Sequence, residues 1–307
     1  MHGLRRDLCR GPPGLGTGEV SMSWYAPRHL DEVLALFAKR PDLIPIAGGT
    51  DVMVGREAHA GGHEYLSLAN VAGLRGIRET PAGVAIGALT TMTEIGHHPV
   101  VCQNLPALAA SARATGAVAI QNRATLGGNI MNASPAADNP PVLLAYGASV
   151  VLMSATGSRR VSYERFHSGY KETVRLPGEI LREILVPLPP PQARHFFRKV
   201  GTRRAQAISK IGLAALLAGR PGAWECVRFG FASVAATPIL AQALSAAIIG
   251  GTHGLPGDKE LAEALRRDMT ARDDIRSTAE YRRRVAMNLV REALAPWRDE
   301  GGLDASD

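Results

Sequence analysis

NRATLGGNIMNASPAADNPPVLLAYGA, residues 122–148, joins a glycine pair, a run of small polar residues and a proline-led apolar segment. Thr125-Leu126-Gly127-Gly128-Asn129 reads as a tight turn, because paired glycines bend without steric cost and expose backbone N–H groups. Pro140-Pro141 followed by Val142-Leu143-Leu144-Ala145 reads as a helix; proline suits its first turn and Gly147 its end. Asp138 stands just before that helix, where an acid can cap the N-terminus or accept hydrogen bonds from a ligand.

A second glycine turn lies upstream: Ala47-Gly48-Gly49-Thr50-Asp51, after the apolar Leu43-Ile44-Pro45-Ile46. Two such turns, each beside a small hydroxyl residue, suit a dinucleotide pyrophosphate gripped from two sides. The commoner phosphate motifs are absent. GxxxxGK[ST] does not occur, and Gly14-Leu15-Gly16 runs into Thr17-Gly18-Glu19, without the third glycine of GxGxxG.

Around these turns the chain alternates helix and strand patterns. Pro27 to Lys39 carries Leu30, Val33, Leu34 and Phe37 on one helical face. Leu43–Ile46, Val52–Val54, Tyr65–Leu68, Val84–Ala88, Val150–Met153 and Ile180–Val186 read as strands. Thr91 and Glu94 have capping-box spacing, and Leu105–Ala114 reads as helix. Pro187-Leu188-Pro189-Pro190-Pro191 is the clearest linker, and the domain boundary falls there. Beyond it, Phe196–Val200 reads as strand, and Val227, Phe229 and Phe231 alternate with period two. Ala205–Leu217 fits a helix or a buried strand. Pro238–Ile249, Lys259–Met269 and Asp273–Trp297 read as helices, the last with Ile275, Ala279, Ala286, Leu289, Ala293 and Leu294 on one stripe.

The 307 residues suffice for two domains, and 46% hydrophobic with 21% charged residues is ordinary for a folded chain. A net charge of +7 would permit nucleic-acid binding. The basic residues are scattered, however, and no aromatic platform accompanies Arg282-Arg283-Arg284, so nucleic acid is not an expected partner. No apolar run approaches membrane-spanning length. Cys9, Cys102 and Cys226 lie too far apart for a metal pair or disulfide framework, which suits a reducing cytoplasm. Cys102 and Cys226 read as small core residues. His97-His98 reads as a surface loop rather than a metal pair; His167 and His195 read as structural. No metal site is expected. Residues 1–21 read as an unordered extension, with Met22 a sensible start.

Four segments in order, AGGTD (47–51), residues 122–148, GYKETVRLPGEIL (169–181) and FFRKVGTRRAQAISKIGLA (196–214), resemble the FAD-binding subunit of the molybdenum hydroxylases, the xanthine and carbon monoxide dehydrogenase family. The likeness covers about residues 22–297. The KVGTRRAQAIS stretch points toward the xanthine dehydrogenase side. The resemblance implies an α+β fold: a two-subdomain FAD cradle of the PCMH type over 22–187, then a C-terminal domain over 194–298 with a small sheet and a helical layer, and a tail at 299–307.

The resemblance also implies roles. Ile46, Ala47, Gly48, Gly49, Thr50, Asp51 and Val52 would line the FAD pyrophosphate, Gly48 and Gly49 through N–H groups and Thr50 through its hydroxyl. Thr125, Leu126, Gly127, Gly128 and Asn129 would face them across the phosphates. Asn132 sits where the family often has Thr or His. Asp138 would accept hydrogen bonds from ribityl or ribose hydroxyls, Leu181 would pack on the flavin, and Lys199 would lie near its pyrimidine ring. Thr115 stands in a segment, Thr-Gly-Ala-Val-Ala, that departs from the family's usual Ile-Gly-Asp pattern. No side chain is expected to be a catalytic acid or base.

The resemblance further implies two partner chains, one with [2Fe–2S] clusters and one with the molybdopterin cofactor, in an (αβγ)2 assembly that passes electrons to NAD+ or another acceptor. Related alternatives are a carbon monoxide, nicotinate, or other aromatic or aldehyde dehydrogenase flavin subunit, or a stand-alone FAD oxidoreductase. A basic binding module without a cofactor is a further alternative of another class.

Overall fold

The computed structural model describes residues 23–54, 63–203, 206–251 and 254–299. The expectations for residues 1–21, for a start at Met22 and for the tail beyond Asp299 lie outside the described residues. The first subdomain holds β1 (Ser23–Tyr25), α1 (Leu30–Lys39), β2 (Ile44–Ile46) and β3 (Glu64–Ser67). The strands form a parallel sheet in the order β1-β3-β2. Helix α1 buries Val33, Leu34 and Phe37 on the face its spacing predicts. The Glu32 carboxylate reaches back to accept from the N–H groups of Arg28 and His29, just ahead of the helix, as in a capping box.

The second subdomain runs through β4 (Ile77–Thr80), β5 (Gly83–Gly87), α2 (Met92–His97), α3 (Pro99–Asn104), α4 (Pro106–Ala114), α5 (Val118–Gln121), α6 (Leu126–Met131) and α7 (Pro140–Ala145). It continues through β6 (Ser149–Ser154), β7 (Gly157–Ser162), β8 (His167–Gly169), β9 (Glu172–Thr173) and β10 (Ile180–Val186). Its main sheet is antiparallel, in the order β4-β5-β10-β6-β7. Thr91 and Glu94 form the expected capping box on α2. His97 ends α2 rather than lying in a loop, its Nδ1 2.8 Å from Thr93 O. Cys102 is exposed on α3, not a core residue, and Cys226 is half-buried.

The C-terminal domain has β11 (Arg194–Val200), β12 (Ile211–Arg220), β13 (Ala223–Ala232) and β14 (Ile239–Leu240), then α8 (Gln242–Gly250), α9 (Asp258–Asp268) and α10 (Ala279–Asp299). Its sheet is antiparallel in sequential order. Strand β12 resolves the ambiguity of Ala205–Leu217. Ile211, Leu213, Ala215 and Leu217 pack with the helical layer, whereas Ala214 and Leu216 belong to the core of the first domain. Both faces are buried, so the strand reads as an unbroken apolar run without alternation. Helix α10 starts at Ala279, not Asp273, because Asp273 and Asp274 accept from the N–H groups of Ala279, Arg276 and Ser277 and hold a turn there. Ile275, expected on the apolar stripe, therefore lies outside the helix and is 98% exposed. Arg282 is buried and bonded to Lys210 O, Arg272 O and Asp274, so the densest basic cluster is partly spent on the fold.

The two domains meet closely. A Cβ on Gly230 of β13 would lie 2.0 Å from Pro141 O of α7, so the strand backbone presses on the helix. Arg228 donates to Leu144 O and Ala145 O at the end of α7. Tyr146 Oη accepts from Ala107 N–H and lies 2.9 Å from His195 Nδ1. His167 sits against Tyr163, whose Oη is 2.9 Å from its Nε2, while its Nδ1 is buried without a partner. Burial pushes the His167 imidazole down to about 4.

That shift carries a pH prediction. The folded protein holds His167 neutral, and the unfolded chain takes up its proton near the ordinary value of about 6.5. Stability is therefore fully present above pH 6.5 and is lost as pH falls toward 4, by at most about 3 kcal/mol. Thermal melts from pH 7 to 4.5 should show this slope, and His167→Gln should flatten it. An unchanged slope in the variant would remove His167 as the cause.

Candidate functional site

The two glycine segments touch. A Cβ on Gly48 would stand 1.8 Å from Arg123 O and 3.2 Å from Ala124 N. Arg123 Nε donates back to Gly48 O at 3.2 Å. Gly49 takes φ +74°, a left-handed conformation that glycine adopts without cost. Met53 N–H then bonds Gly49 O and Val54 N–H bonds Asp51 O, so Val52–Val54 is turn and not the expected strand. Among the described residues, no acceptor in the chain takes the N–H groups of Gly48, Gly49, Thr50 or Asp51. A run of free N–H groups at a glycine bend is the donor set an anion needs. Ile46 is buried at the end of β2, and Ala47 packs against the small core under α1. Thr50 and Val52 are half-buried and Asp51 is exposed.

The second segment is a helix start rather than a loop. Thr125 is the N-cap of α6, and its hydroxyl accepts from Gly128 N–H at 3.1 Å. Leu126 N–H bonds Thr90 O, Gly127 N–H bonds Ala88 O and Asn129 N–H bonds Thr125 O. These amides are thus used inside the chain, unlike those of the first segment. The glycines differ as well. A Cβ on Gly127 would lie 2.6 Å from Ala88 O, so Gly127 is required by packing on the end of β5. A Cβ on Gly128 would meet only Thr125 Oγ1, at 3.0 Å, and otherwise open space.

Behind α6 lies a buried amide that the sequence reading missed. Asn139 is fully buried; its Nδ2 donates to Thr115 Oγ1 and Asn129 Oδ1, both at 3.2 Å, and its Oδ1 accepts from Ser111 Oγ at 2.8 Å. Thr115 and Asn129 are thereby tied together, although they are far apart in sequence. The only local signal was an amide beside Pro140-Pro141. Asn132 stands at the opposite end of α6 and accepts from Lys171 Nζ at 2.7 Å. Leu181 is buried opposite Leu152, beside a bulge at Leu181/Glu183, and Arg182 O accepts from Ala88 N–H next to Gly127.

Asp138 does not cap α7. The N-cap position is Asn139, and Asp138 gives one oxygen to Lys199 Nζ at 2.6 Å and the other to Ser209 Oγ at 2.6 Å. Lys199 also donates to Ala114 O at 3.1 Å, next to Thr115. Burial pushes the Asp138 carboxyl up, against the opposing pull of the Lys199 charge and the Lys199 and Ser209 hydrogen bonds. A cleft of about 620 Å³, lined by Ala114 and residues 197–203, opens beside Lys199. Among the described residues, no group of three or more His, Cys, Asp or Glu side chains could hold a metal ion.

Free N–H donors, open space over Gly128 and a held carboxylate together fit a dinucleotide, which presents pyrophosphate oxygens and sugar hydroxyls. Comparison with known proteins agrees. The family described as "FAD binding domain in molybdopterin dehydrogenase" matches residues 20–189, and the "CO dehydrogenase flavoprotein C-terminal domain" matches 195–296. The chain is 30% identical over 278 residues to a xanthine dehydrogenase FAD-binding subunit of Escherichia coli O157:H7, covering 89% of this chain and 94% of that one. It is 29% identical to the carbon monoxide dehydrogenase medium chain of Afipia carboxidovorans, covering 89% and 96%. In structure it matches carbon monoxide dehydrogenase of Hydrogenophaga pseudoflava with a TM-score of 0.83 at 27% identity, over 90% of this chain and 96% of that one. The chain belongs to the family of FAD-binding subunits of the molybdopterin dehydrogenases.

Proposed function

We propose that this chain is the flavin subunit of a xanthine dehydrogenase-type molybdenum hydroxylase. It would receive electrons from a [2Fe–2S] partner and deliver them to NAD+ or another acceptor. The observation that carries this reading is the run of N–H groups at Gly48–Asp51 that no acceptor among the described residues takes, packed directly against the segment that leads into α6. FAD, when bound, supplies the two-electron and one-electron chemistry. The chain's own residues bind and orient it. Gly48, Gly49 and Thr50 offer donors to the pyrophosphate, with Ile46, Ala47, Asp51 and Val52 along the same segment. Thr125, Leu126, Gly127, Gly128 and Asn129 form the opposite wall, Asp138 takes sugar or ribityl hydroxyls, and Leu181 and Lys199 border the flavin ring. Thr115 and Asn132 contribute less directly: the first braces Asn129 through Asn139, and the second is engaged by Lys171.

The FAD cradle is assigned to 22–187 and the C-terminal domain to 194–298. The iron–sulfur and molybdopterin partners are separate chains in an (αβγ)2 complex, and a reducing cytoplasm suits the free thiols of Cys102 and Cys226. No described helix is long and apolar enough to cross a membrane. The KVGTRRAQAIS stretch and the xanthine dehydrogenase relative favour xanthine chemistry. The carbon monoxide dehydrogenase relative, at nearly the same identity, keeps a second substrate class in view.

Tagged chain purified from its own host tests this. The expected result is a yellow complex with two further chains that reduces NAD+ when given xanthine. A chain that stays colourless after incubation with FAD would overturn the reading. Flavin without partner chains would favour a stand-alone oxidoreductase.

A further inference from the structure

We infer that Ser209 is a positioning residue for the cofactor site: its hydroxyl fixes the rotamer of the Asp138 carboxylate, so that the lone pairs left over face the cofactor hydroxyls. The inference rests on the proposed role of Asp138. Ser209 is 1% exposed, and its Oγ donates to Asp138 Oδ1 at 2.6 Å. Lys199 takes the other oxygen at 2.6 Å. An ionised carboxylate has about four acceptor positions, so roughly two remain for hydroxyl donors.

Ser209 is itself held. Its carbonyl accepts from Ser233 Oγ at 2.9 Å, and Ser233 N–H donates to Pro135 O at 2.8 Å. Ser233 adopts φ +65°, and Ala133, at the start of the segment leading to Asp138, adopts φ +48°. Non-glycine residues persist in that region only where their surroundings over-determine them. Ser233 thus ties the donor loop to the acceptor segment, and both donors to Asp138 come from the C-terminal domain. A first-domain carboxylate is aimed by second-domain side chains. A buried ion pair is a poor device for stability alone, because desolvation offsets much of the attraction. Its cost is better explained if the acid must stay charged and fixed for a ligand.

The full chain, stripped of flavin and titrated with FAD, provides the test through a double-mutant cycle of Ser209→Ala, Asp138→Asn and both together. Ser209→Ala should weaken FAD binding by roughly ten- to a hundredfold, the worth of one hydrogen bond to a charged group. Asp138→Asn should weaken it at least as much, and the double variant should be no weaker than Asp138→Asn alone. In Ser209→Ala the loss of affinity on the acid side should begin at higher pH, since a carboxylate deprived of a donor protonates more readily. In Asp138→Asn that acid limb should vanish.

Losses that multiply in the double variant would make Ser209 merely structural and overturn the inference, as would unchanged affinity in Ser209→Ala. Unchanged affinity in Asp138→Asn would instead overturn the role of Asp138, a distinguishable result. Should Ser209→Ala fail to fold, Ser209→Cys, nearly isosteric with a weak donor, enters the same cycle.

Discussion

Gly48→Ala should yield a protein that melts well below the parent and retains little flavin. The added Cβ would stand 1.8 Å from Arg123 O and 2.5 Å from Arg123 C, distances no real contact reaches. The obstacle is backbone, and that backbone is pinned. Arg123 and Ala124 N–H both bond Ile120 O, and Ala124 O accepts from Met92 N–H at the start of α2. Neither segment can yield alone, so the two must separate. Overpacking of this kind costs on the order of 3 kcal/mol. Separation also displaces the free N–H groups of 48–51, so flavin is lost with the contact. The ratio of visible to ultraviolet absorbance after FAD saturation, with melts of the flavin-free protein, reads both effects. Parent-like values for both would mean that the two segments do not touch in solution.

The same glycine shows how the site was legible in the chain. Gly-Gly pairs marked both segments, and the residues trailing the second pair linked them to one family. The reason for each glycine was not legible, because it depends on what comes close in space. Gly48 avoids Arg123, Gly127 avoids Ala88, and Gly128 meets no more than the Thr125 hydroxyl. Local chemistry was read well where it is local: the Thr91–Glu94 box, the α1 stripe and the period-two β13 all form as their spacing predicts. Readings stayed open where a distant partner decides. Asp138 could cap α7 or accept from a ligand, and the cap drops out because Lys199 and Ser209, 61 and 71 positions away, each bond one of its oxygens. Strand β12 hid its alternation because two domains bury its two faces. Asn139 carried no sequence signal of its own, yet it braces Thr115 and Asn129 together.

Gly128→Val should do the reverse of Gly48→Ala in one respect: flavin is lost while the fold survives. Its Cβ would meet only Thr125 Oγ1, at 3.0 Å; that hydroxyl is the N-cap acceptor of the Gly128 N–H, so the crowding falls on the cap and not on backbone. Replacing glycine inside α6 also removes an unfavourable helix residue, which offsets part of any crowding at Thr125. The flavin-free variant should therefore lose no more than about 1 kcal/mol of stability, the worth of a helix cap, far less than Gly48→Ala. In the proposed cradle, however, the space above Gly128 is where the second segment would face the pyrophosphate. Two γ-methyls there would occupy the volume proposed for the pyrophosphate and place apolar atoms against its charge, with no donor to compensate. FAD affinity should fall by at least a hundredfold, roughly 3 kcal/mol, measured as flavin fluorescence quenched on titration. A variant that folds and still binds FAD like the parent would place the pyrophosphate elsewhere. The Gly48–Asp51 donors would then need another anion to explain them.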